Sequence, residues 1–414
     1  MATASTTTAA DRRRGRALAL PKGVLTRTTI VLVCAGLAVA VGIKGAAIRL
    51  ARSDPRAASL LAPYDARAAI TAARAEASAG AKVASPLVRS LTQQALERDA
   101  TIPAAIEMRA AQAEAQNDAA REKRLFELSS AISRRSLPTR LWLIQHSVDA
   151  GDVAGALENF DVALRTSMAA PDVLFPVLAN ASSDPSLAVP IARILDRPED
   201  WRESFLHFAI TEAHAAPGMA AVVTRMRDRR LIVDKQIDQS LVGELVAEKQ
   251  FDLARRVHDA FSPSAGRDLV ADALFADSRM TYPFGWELIQ TGTSGAQRVR
   301  SEGRSALEYQ VSPGGGGQAA TQLLTLAPGD YRLTVTTARP ANDRVSQPFW
   351  TLTCGDEDEG QLALLDQPSV AEASAAVDFT VPDGCTGQWL ALTLRSSDEP
   401  DLTGAIQSVT VSRR

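Results

Sequence analysis

The spacing of apolar residues changes once along this chain, near Met280, and each side of the change has its own period. Before it, apolar residues recur every three or four positions, as in Leu125, Leu128 and Ile132, which is the period of amphipathic helices. After it, apolar and polar residues alternate, as in the segment YRLTVT at 331–336, which is typical of half-buried strands. We therefore expect a helical region followed by an all-β domain.

Composition limits the classes of protein that remain. The 414 residues are 46% hydrophobic and 22% charged, which is enough apolar material for two or three domains with real cores. A net charge of −3 argues against a nucleic-acid-binding protein. Three cysteines exclude a disulfide-dense scaffold. The four histidines, scattered without the spacing of a metal site, lead us to expect no metal and no cofactor.

The N-terminal segment has the length and flanks of a membrane anchor. Residues 28–43 carry no charge, and with Lys44 and the four residues after it the stretch reaches 21 residues, about the ~20 that cross a bilayer. Six basic residues precede residue 28, and four follow residue 43 closely with Lys44 counted among them, which favours a cytoplasmic N-terminus. We predict a basic, disordered tail at 1–27, a single transmembrane helix at 28–48 in a bacterial inner membrane, and a periplasmic location for the rest.

Two other interpretations of this segment stay open. Ala38, Val39 and Ala40 form an A-x-A pattern where a signal peptidase could cut, although the apolar region before that site would be unusually short. A buried core helix is the other alternative, but the basic flank and the terminal position argue against it.

The helical region, which we place at 55–278, contains an internal recurrence at a distance of 34 residues. Prolines interrupt it at intervals, so its helices are predicted to be short and serial. The pair Asn117-Asp118 recurs as Gly151-Asp152, and Phe126 recurs as Phe160. A fixed period of this length indicates stacked helical units.

The segment 139–167 resembles a tetratricopeptide repeat. A small residue at a helix–helix contact, a helix-ending Gly and a gap-filling Phe are the features that carry the likeness. Arg140 stands where the family has a Trp, and Trp142 follows two places on. The resemblance implies a helical solenoid that binds a protein partner on its concave surface; a spacer that only separates the last domain from the membrane is the alternative. The repeat-packing residues predicted on this basis are Phe126, Leu143, Gly151, Ala156, Phe160 and Ala163.

Residues 281–414 carry the signature of a β-sandwich. Fourteen of the 25 glycines fall after Met280, and turn signals such as Pro328-Gly329-Asp330 separate short alternating runs. The order of parts resembles jelly-roll carbohydrate-binding modules: a Trp-bearing strand at 284–288, a Tyr-Arg-Leu strand at 331–333 and a last strand of alternating Val at 406–411. The resemblance implies glycan binding.

Cys354 ends one predicted strand and Cys385 directly precedes another, 31 positions later. If the domain is exported, an oxidising compartment lets a disulfide between them persist. Closing this loop is expected to stabilise the domain by about 3–4 kcal/mol in the chain-entropy model. Two buried free thiols are the alternative.

A glycan platform requires an aromatic ring on the outer face of a strand. Leu390, Leu392 and Leu394 occupy one face of their strand, which leaves Trp389 on the other. In the same way Trp350 is expected in the core, so that Phe349 points outward. Phe349 and Trp389 are therefore the predicted glycan platform, with ordinary packing as the alternative.

No catalytic pattern emerges from the sequence. The region after residue 280 lacks histidine, which excludes a Ser-His-Asp triad within it. We expect a non-enzymatic, membrane-anchored periplasmic scaffold. Its solenoid would bind an envelope protein and its sandwich a polysaccharide or another envelope component. Chains of this layout resemble accessory proteins of exopolysaccharide or envelope assembly. The alternatives are a carboxylate-dependent glycan hydrolase, since the two acids need not be close in sequence, and a structural spacer.

Overall fold

The computed structural model describes most of the chain. The residues it describes are 22–196, 200–228, 235–261, 268–277, 281–301, 303–339, 347–356, 360–368, 373–396 and 402–414. Most of the predicted N-terminal tail lies outside them.

The described helices all precede the strands. The helices are α1 Lys22–Ser53, α2 Pro55–Leu61, α3 Ala66–Ser78, α4 Pro86–Arg98, α5 Pro103–Glu114, α6 Ala119–Ile132, α7 Leu137–Asp149, α8 Val153–Thr166, α9 Ala170–Ala181, α10 Ala188–Leu195, α11 Trp201–His207, α12 Ala216–Asp228, α13 Lys235–Ala247 and α14 Phe251–Phe261. The strands are β1 Glu287–Leu288, β2 Ser294–Ser301, β3 Arg304–Val311, β4 Gly317–Leu324, β5 Gly329–Arg339, β6 Phe349–Cys354, β7 Gln361–Asp366, β8 Ser374–Val381, β9 Gln388–Leu394 and β10 Leu402–Arg413. The predicted order of a helical region and a β-domain is confirmed.

The 34-residue recurrence has a local structural cause. Asn117 and Gly151 both have positive φ, 57° and 71°, and each ends a helix in the left-handed conformation. The aspartates that follow them are N-caps: Asp118 accepts from the backbone N–H of Arg121 at 3.0 Å, and Asp152 from that of Gly155 at 2.9 Å. Both turns therefore consist of a left-handed residue followed by an aspartate cap. The assignment to the tetratricopeptide family stays a prediction.

The chain divides into two compact units, Met1–Leu143 and Ile144–Arg414. In the first, α3, α4 and α5 pack through an alanine-rich core with Ile70 and Val88. A second buried centre surrounds Glu107, which is 6% exposed. Its carboxylate accepts from Arg74 Nη2 at 2.9 Å and from Thr139 Oγ1 at 2.9 Å. These bonds satisfy a buried charge that would otherwise be costly.

Helix α1 begins this first unit and is long and apolar enough to cross a membrane. Its candidate span is Val33–Ser53, of which 6% is buried within the protein. By length and composition alone, a signal sequence would pass the same test, so the helix is consistent with either.

In the second unit, the strands form two five-stranded antiparallel sheets. Sheet 1 has the order β1-β4-β9-β6-β7 and sheet 2 the order β2-β3-β10-β5-β8. The inward-facing side chains of the two sheets form one core, which contains Trp350, Leu392 and Val409, all fully buried. Trp286 also joins this core and meets Trp350 edge-on at 5.8 Å. The C-terminal domain is thus a two-sheet β-sandwich, as the alternation predicts.

The sandwich core includes residues that precede Met280. Val270 and Phe275 are each 1% exposed and belong to it. The Asp272 carboxylate accepts from Arg298 Nη2 at 3.1 Å, and the side chain of Gln322 exchanges two hydrogen bonds with the backbone of Ala271. The segment 268–277, which periodicity assigns to the helical region, is therefore part of the β-domain's packing.

Candidate functional site

The outer face of sheet 1 carries both rings of the predicted platform. Strands β6 and β9 are adjacent and antiparallel; Phe349 pairs with Thr393, and Thr353 pairs with Trp389. Burial alternates along both strands, with Trp350 and its neighbours on β9 facing the core. Phe349 and Trp389 therefore lie on the same outer face, four positions apart along the strands, or about 13 Å at 3.3 Å per residue.

At one end of this face, Trp389 stacks against Tyr282. The ring centroids are 6.1 Å apart and the planes differ by 24°. Tyr282 belongs to a segment held along β4, since the next residue, Pro283, accepts a hydrogen bond from the N–H of Leu323 at 2.8 Å. Burial raises the pKa of the Tyr282 hydroxyl, and the nearby Glu287 carboxylate raises it further. The hydroxyl is therefore neutral at ordinary pH and can donate a hydrogen bond. With 48% exposure, Tyr282 forms the outer ring of the stacked pair.

At the other end, Phe349 is covered by a guanidinium group. The Arg395 group lies 4.7 Å from the ring centroid, at the range of a cation–π contact. It is held there by hydrogen bonds from Nη2 to Asp366 Oδ1 at 2.6 Å and from Nη1 to the Gln347 carbonyl at 2.7 Å. Neither predicted ring is bare: Tyr282 covers Trp389 and Arg395 covers Phe349.

Small side chains occupy the face between the two ends. Thr351 and Thr353 on β6 and Ala391 and Thr393 on β9 are half-buried and have the outward orientation. Leu364, next to them on β7, is 45% exposed. We call this part of the outer face, with rings at both ends and threonine hydroxyls between them, the trough; it offers apolar stacking surfaces as well as hydrogen-bond donors and acceptors. Those are the two kinds of contact that a sugar ring makes.

A disulfide joins the two chain segments next to the Trp389 end. Cys354 and Cys385 are bonded, with Cα atoms 5.7 Å apart, so the predicted pairing is confirmed. The Asp356 carboxylate accepts from the backbone N–H of Thr386 at 2.6 Å, bridging the same segments. Asp356 lies close to both cysteine sulfurs, as in a metal site. Because the two sulfurs are bonded to each other, however, neither is a thiolate that could bind a metal ion.

Phe251 of α14 fits against these two segments. A Cβ at Gly387 would lie 2.4 Å from the Phe251 ring, and one at Gly355 would lie 2.8 Å from it. Phe251 is 2% exposed, so the absence of side chains at both glycines is what admits the ring. Lys249 Nζ also donates to the Asp356 carbonyl at 3.1 Å. The last helix is thus packed on the sandwich beside the aromatic end of the trough.

The predicted repeat-packing residues all lie in the helical region. Ala156, Phe160 and Ala163 are buried along one side of α8, and Leu143 is half-buried. Phe126 is 8% exposed and stacks on Trp142, with centroids 4.8 Å apart. Gly151 provides the left-handed turn already described.

At the two ends of the trough, Tyr282, Asp366 and Arg395 are absent from the sequence-based prediction, as are the small side chains between the ends. Tyr282 lies outside the strands, where alternation gives no information about direction. Asp366 ends β7 and Arg395 follows β9. Only the pairing of Phe349 with Asp366 and with Thr393 brings them to the ring. The one available signal was the Trp-bearing segment directly after Tyr282, which indicated that the β-domain begins there.

No family model and no curated protein matches the chain. Solved structures similar to part of it include a carbohydrate-binding module of family 61 in complex with β-1,4-galactotriose, at 12% identity and a TM-score of 0.26. A module of family 4 is similar at 16% identity and a TM-score of 0.27. The match covers 36% of this chain and all of each module. The enzymatically active domain of bacteriophage CBA120 tailspike protein 4 is similar at 17% identity and a TM-score of 0.27, but the match spans 21% of that chain. At these scores the likenesses carry no functional argument.

Proposed function

We propose that this protein is a non-catalytic, membrane-anchored scaffold that binds a glycan on the outer face of sheet 1. The observation that carries the glycan-binding part is the trough between the Tyr282–Trp389 pair and Phe349. A sugar chain laid along it would stack on Tyr282 and meet threonine hydroxyls, Arg395 and Asp366 further on. The alternation of apolar rings and polar groups suits the two faces of a pyranose ring.

The binding test uses the full-length protein in neutral detergent and an array of microbial oligosaccharides, followed by titration of the strongest ligand. Replacing Tyr282 or Trp389 by Ala is expected to weaken binding about 2- to 10-fold, the range expected from an aromatic stacking contact of 0.5–1.5 kcal/mol. Tyr64→Ala is the matched control, because Tyr64 is 51% exposed and lies outside the β-domain. Equal affinities for all three variants would argue against the trough as the binding site.

The same ligand decides between binding and hydrolysis. A binding protein leaves the oligosaccharide intact, whereas a carboxylate-dependent hydrolase releases new reducing ends. Asp366→Asn tests a carboxylate of the trough, and Asp330→Asn on sheet 2 is its control. If the protein releases new reducing ends, and only Asp366→Asn abolishes this release, the protein is a hydrolase and our proposal is wrong.

The location is proposed from α1 and the disulfide together. A helix of this length and hydropathy suits a single-pass anchor, and a disulfide persists in an oxidising compartment. We place the N-terminus in the cytoplasm and the bulk of the chain in the periplasm. A reporter fused to the C-terminus should be active only outside the cytoplasm; activity inside would overturn this orientation.

The helical repeats are proposed to bind an envelope protein, in a role accessory to exopolysaccharide or envelope assembly. Recovery of the membrane-anchored protein by affinity purification, with mass spectrometry of what accompanies it, tests this part. Polysaccharide synthesis or export components that persist after deletion of residues 281–414 would support it. Their loss with that deletion would instead place the partner on the sandwich.

A further inference from the structure

The position of the bilayer surface along α1 can be located from burial. The described apolar side chains from Ile30 to Val41 are mostly more than half exposed, as expected for a surface that faces lipid. The pattern ends a turn later, because Ala47 is 3% exposed and Leu50 and Ala51 are half-buried against the folded part of the first unit. The lipid-facing segment therefore ends near Lys44, the first charged residue after the apolar run.

A cleft of about 670 Å³ opens at this level, within the range of small-molecule binding sites. One wall is the face of α1 that carries Lys44, Ala47 and Ile48. The opposite wall is formed by residues 64–68, at the start of α3, and by the turn between α4 and α5. The cleft therefore lies between the membrane helix and the first helices of the folded region.

The charges lining the cleft favour an anion. Its cations are Lys44, Arg67 and Arg98, and its carboxylates are Asp65 and Asp99. Both carboxylates are engaged locally: Asp65 accepts from the N–H of Arg67 at 2.9 Å, and Asp99 accepts from the N–H and hydroxyl of Thr101 at 2.9 and 2.7 Å. Within the described part of the chain, the Lys44 and Arg98 side chains form no ion pair.

The remaining lining is apolar or amphipathic. Tyr64 is 51% exposed and Ile48 is 61% exposed, and both line the cleft. A tyrosine ring with one wet end and a nearby aliphatic side chain are the usual contacts of protein with the headgroup layer of a bilayer. Leu60, on the helix that precedes Tyr64, is 75% exposed.

We propose that this cleft binds the headgroup of an anionic phospholipid from the bilayer that α1 crosses. The phosphate would lie between Lys44 and Arg98, with Ile48 and Tyr64 against the outer part of the headgroup and the acyl chains along the exposed apolar side chains of α1 that precede Lys44. The choice of a lipid over a soluble anion follows from the position of the cleft, which is continuous with the lipid-facing surface of α1. This inference rests on the proposed membrane anchor.

The test is native mass spectrometry of the full-length protein in neutral detergent, titrated with phosphatidylglycerol or phosphatidylcholine. We expect preferential retention of phosphatidylglycerol. Double substitution Lys44→Gln/Arg98→Gln should weaken that retention about 30-fold, since each basic side chain at a lipid surface contributes roughly 1 kcal/mol.

The matched control is the double variant Arg89→Gln/Arg121→Gln, which removes two exposed positive charges of the same unit outside the cleft. Equal retention of both lipids, or equal losses in the two double variants, would overturn the proposal. If glycerol 1-phosphate binds as tightly as the whole lipid, the cleft binds a soluble phosphate, and the proposal that its ligand is a phospholipid is wrong.

Alkaline extraction of membranes separates this inference from the proposed anchor. If the protein stays in the membrane pellet without a lipid preference, the headgroup site alone fails. Release of the protein into the supernatant would show that both the proposed anchor and the proposed lipid site are wrong. Circular dichroism of both double variants checks that the helices are retained, as expected for exposed substitutions.

Discussion

At the scale of single residues, the β-domain depends on where side chains are absent. Gly355 and Gly387 admit the Phe251 ring, and Gly404 admits the Tyr309 ring, whose hydroxyl oxygen would lie 2.2 Å from an added Cβ. The sequence shows these positions only as glycines in a glycine-rich region. The structure shows why glycine is required there, because a side chain at these positions would overlap a ring that occupies the same space.

Gly387→Ala is predicted to destabilise the protein by about 1–3 kcal/mol, the usual cost of overpacking a filled site. The new methyl group would overlap the Phe251 ring. Gly292→Ala is the control, because no other group lies within 4 Å of the place its methyl group would take, and it should leave the unfolding free energy within about 0.5 kcal/mol. Urea unfolding measures both, and equal midpoints would contradict the prediction.

At the scale of elements, α14 and the sandwich meet through a buried histidine. His258 is 1% exposed and lies 5.0 Å from the Phe284 ring and 5.6 Å from the Phe261 ring, centroid to centroid. Its Nδ1 is 3.4 Å from the Asp259 carboxylate, and the Arg255 guanidinium lies over the Phe284 ring. Burial lowers the pKa of His258 against the opposing effect of Asp259, while the positive charge of Arg255 lowers it further.

The contact between α14 and the sandwich should therefore weaken in acid. A histidine with a lowered pKa in the folded state binds more protons when unfolded, so the unfolding free energy falls as the pH drops below about 6.5. His258→Gln should flatten this dependence. His207→Gln, at an exposed histidine, is the matched control. Thermal unfolding between pH 5 and 8 measures the slopes, and parallel curves for the two variants would refute the prediction.

The disulfide joins the end of β6 to the segment before β9, the two segments against which α14 packs. Replacing both Cys354 and Cys385 by Ser should lower the unfolding free energy by about 3–4 kcal/mol, because a loop of some 30 residues is no longer closed in the unfolded chain. Urea unfolding of the oxidised protein and of the double variant gives the difference. In unfolded, unreduced protein these two cysteines should resist a thiol reagent; full labelling of both would contradict the bond.

At the scale of the whole molecule, the β-domain requires residues before the point where the hydrophobic period changes. A chain that starts at residue 281 lacks Val270 and Phe275 from its core, as well as the ion pair of Asp272 with Arg298. A chain that starts at residue 249 keeps these and α14. We predict a cooperative thermal transition for the longer chain, and loss of solubility or a markedly lower midpoint for the shorter one. Identical midpoints would show that the segment is dispensable.

Much of this architecture could be predicted from local sequence. The period of apolar residues gave the order of helices and strands, and the run at 28–48 gave the apolar helix. Alternation gave the inner and outer faces of β6 and β9, and with them the outward direction of Phe349 and Trp389. Each of these properties depends on neighbours a few positions apart, which a single sequence displays directly.

Tertiary structure decided what those surfaces meet. Three contacts join residues whose sequence separation is 46 or more: Tyr282 with Trp389, Arg395 with Phe349, and Phe251 with Gly355 and Gly387. The cleft between α1 and α3 likewise depends on how the chain turns after α1. Such contacts follow from the packing of whole elements, which local periodicity does not encode because many arrangements of the same elements share the same pattern.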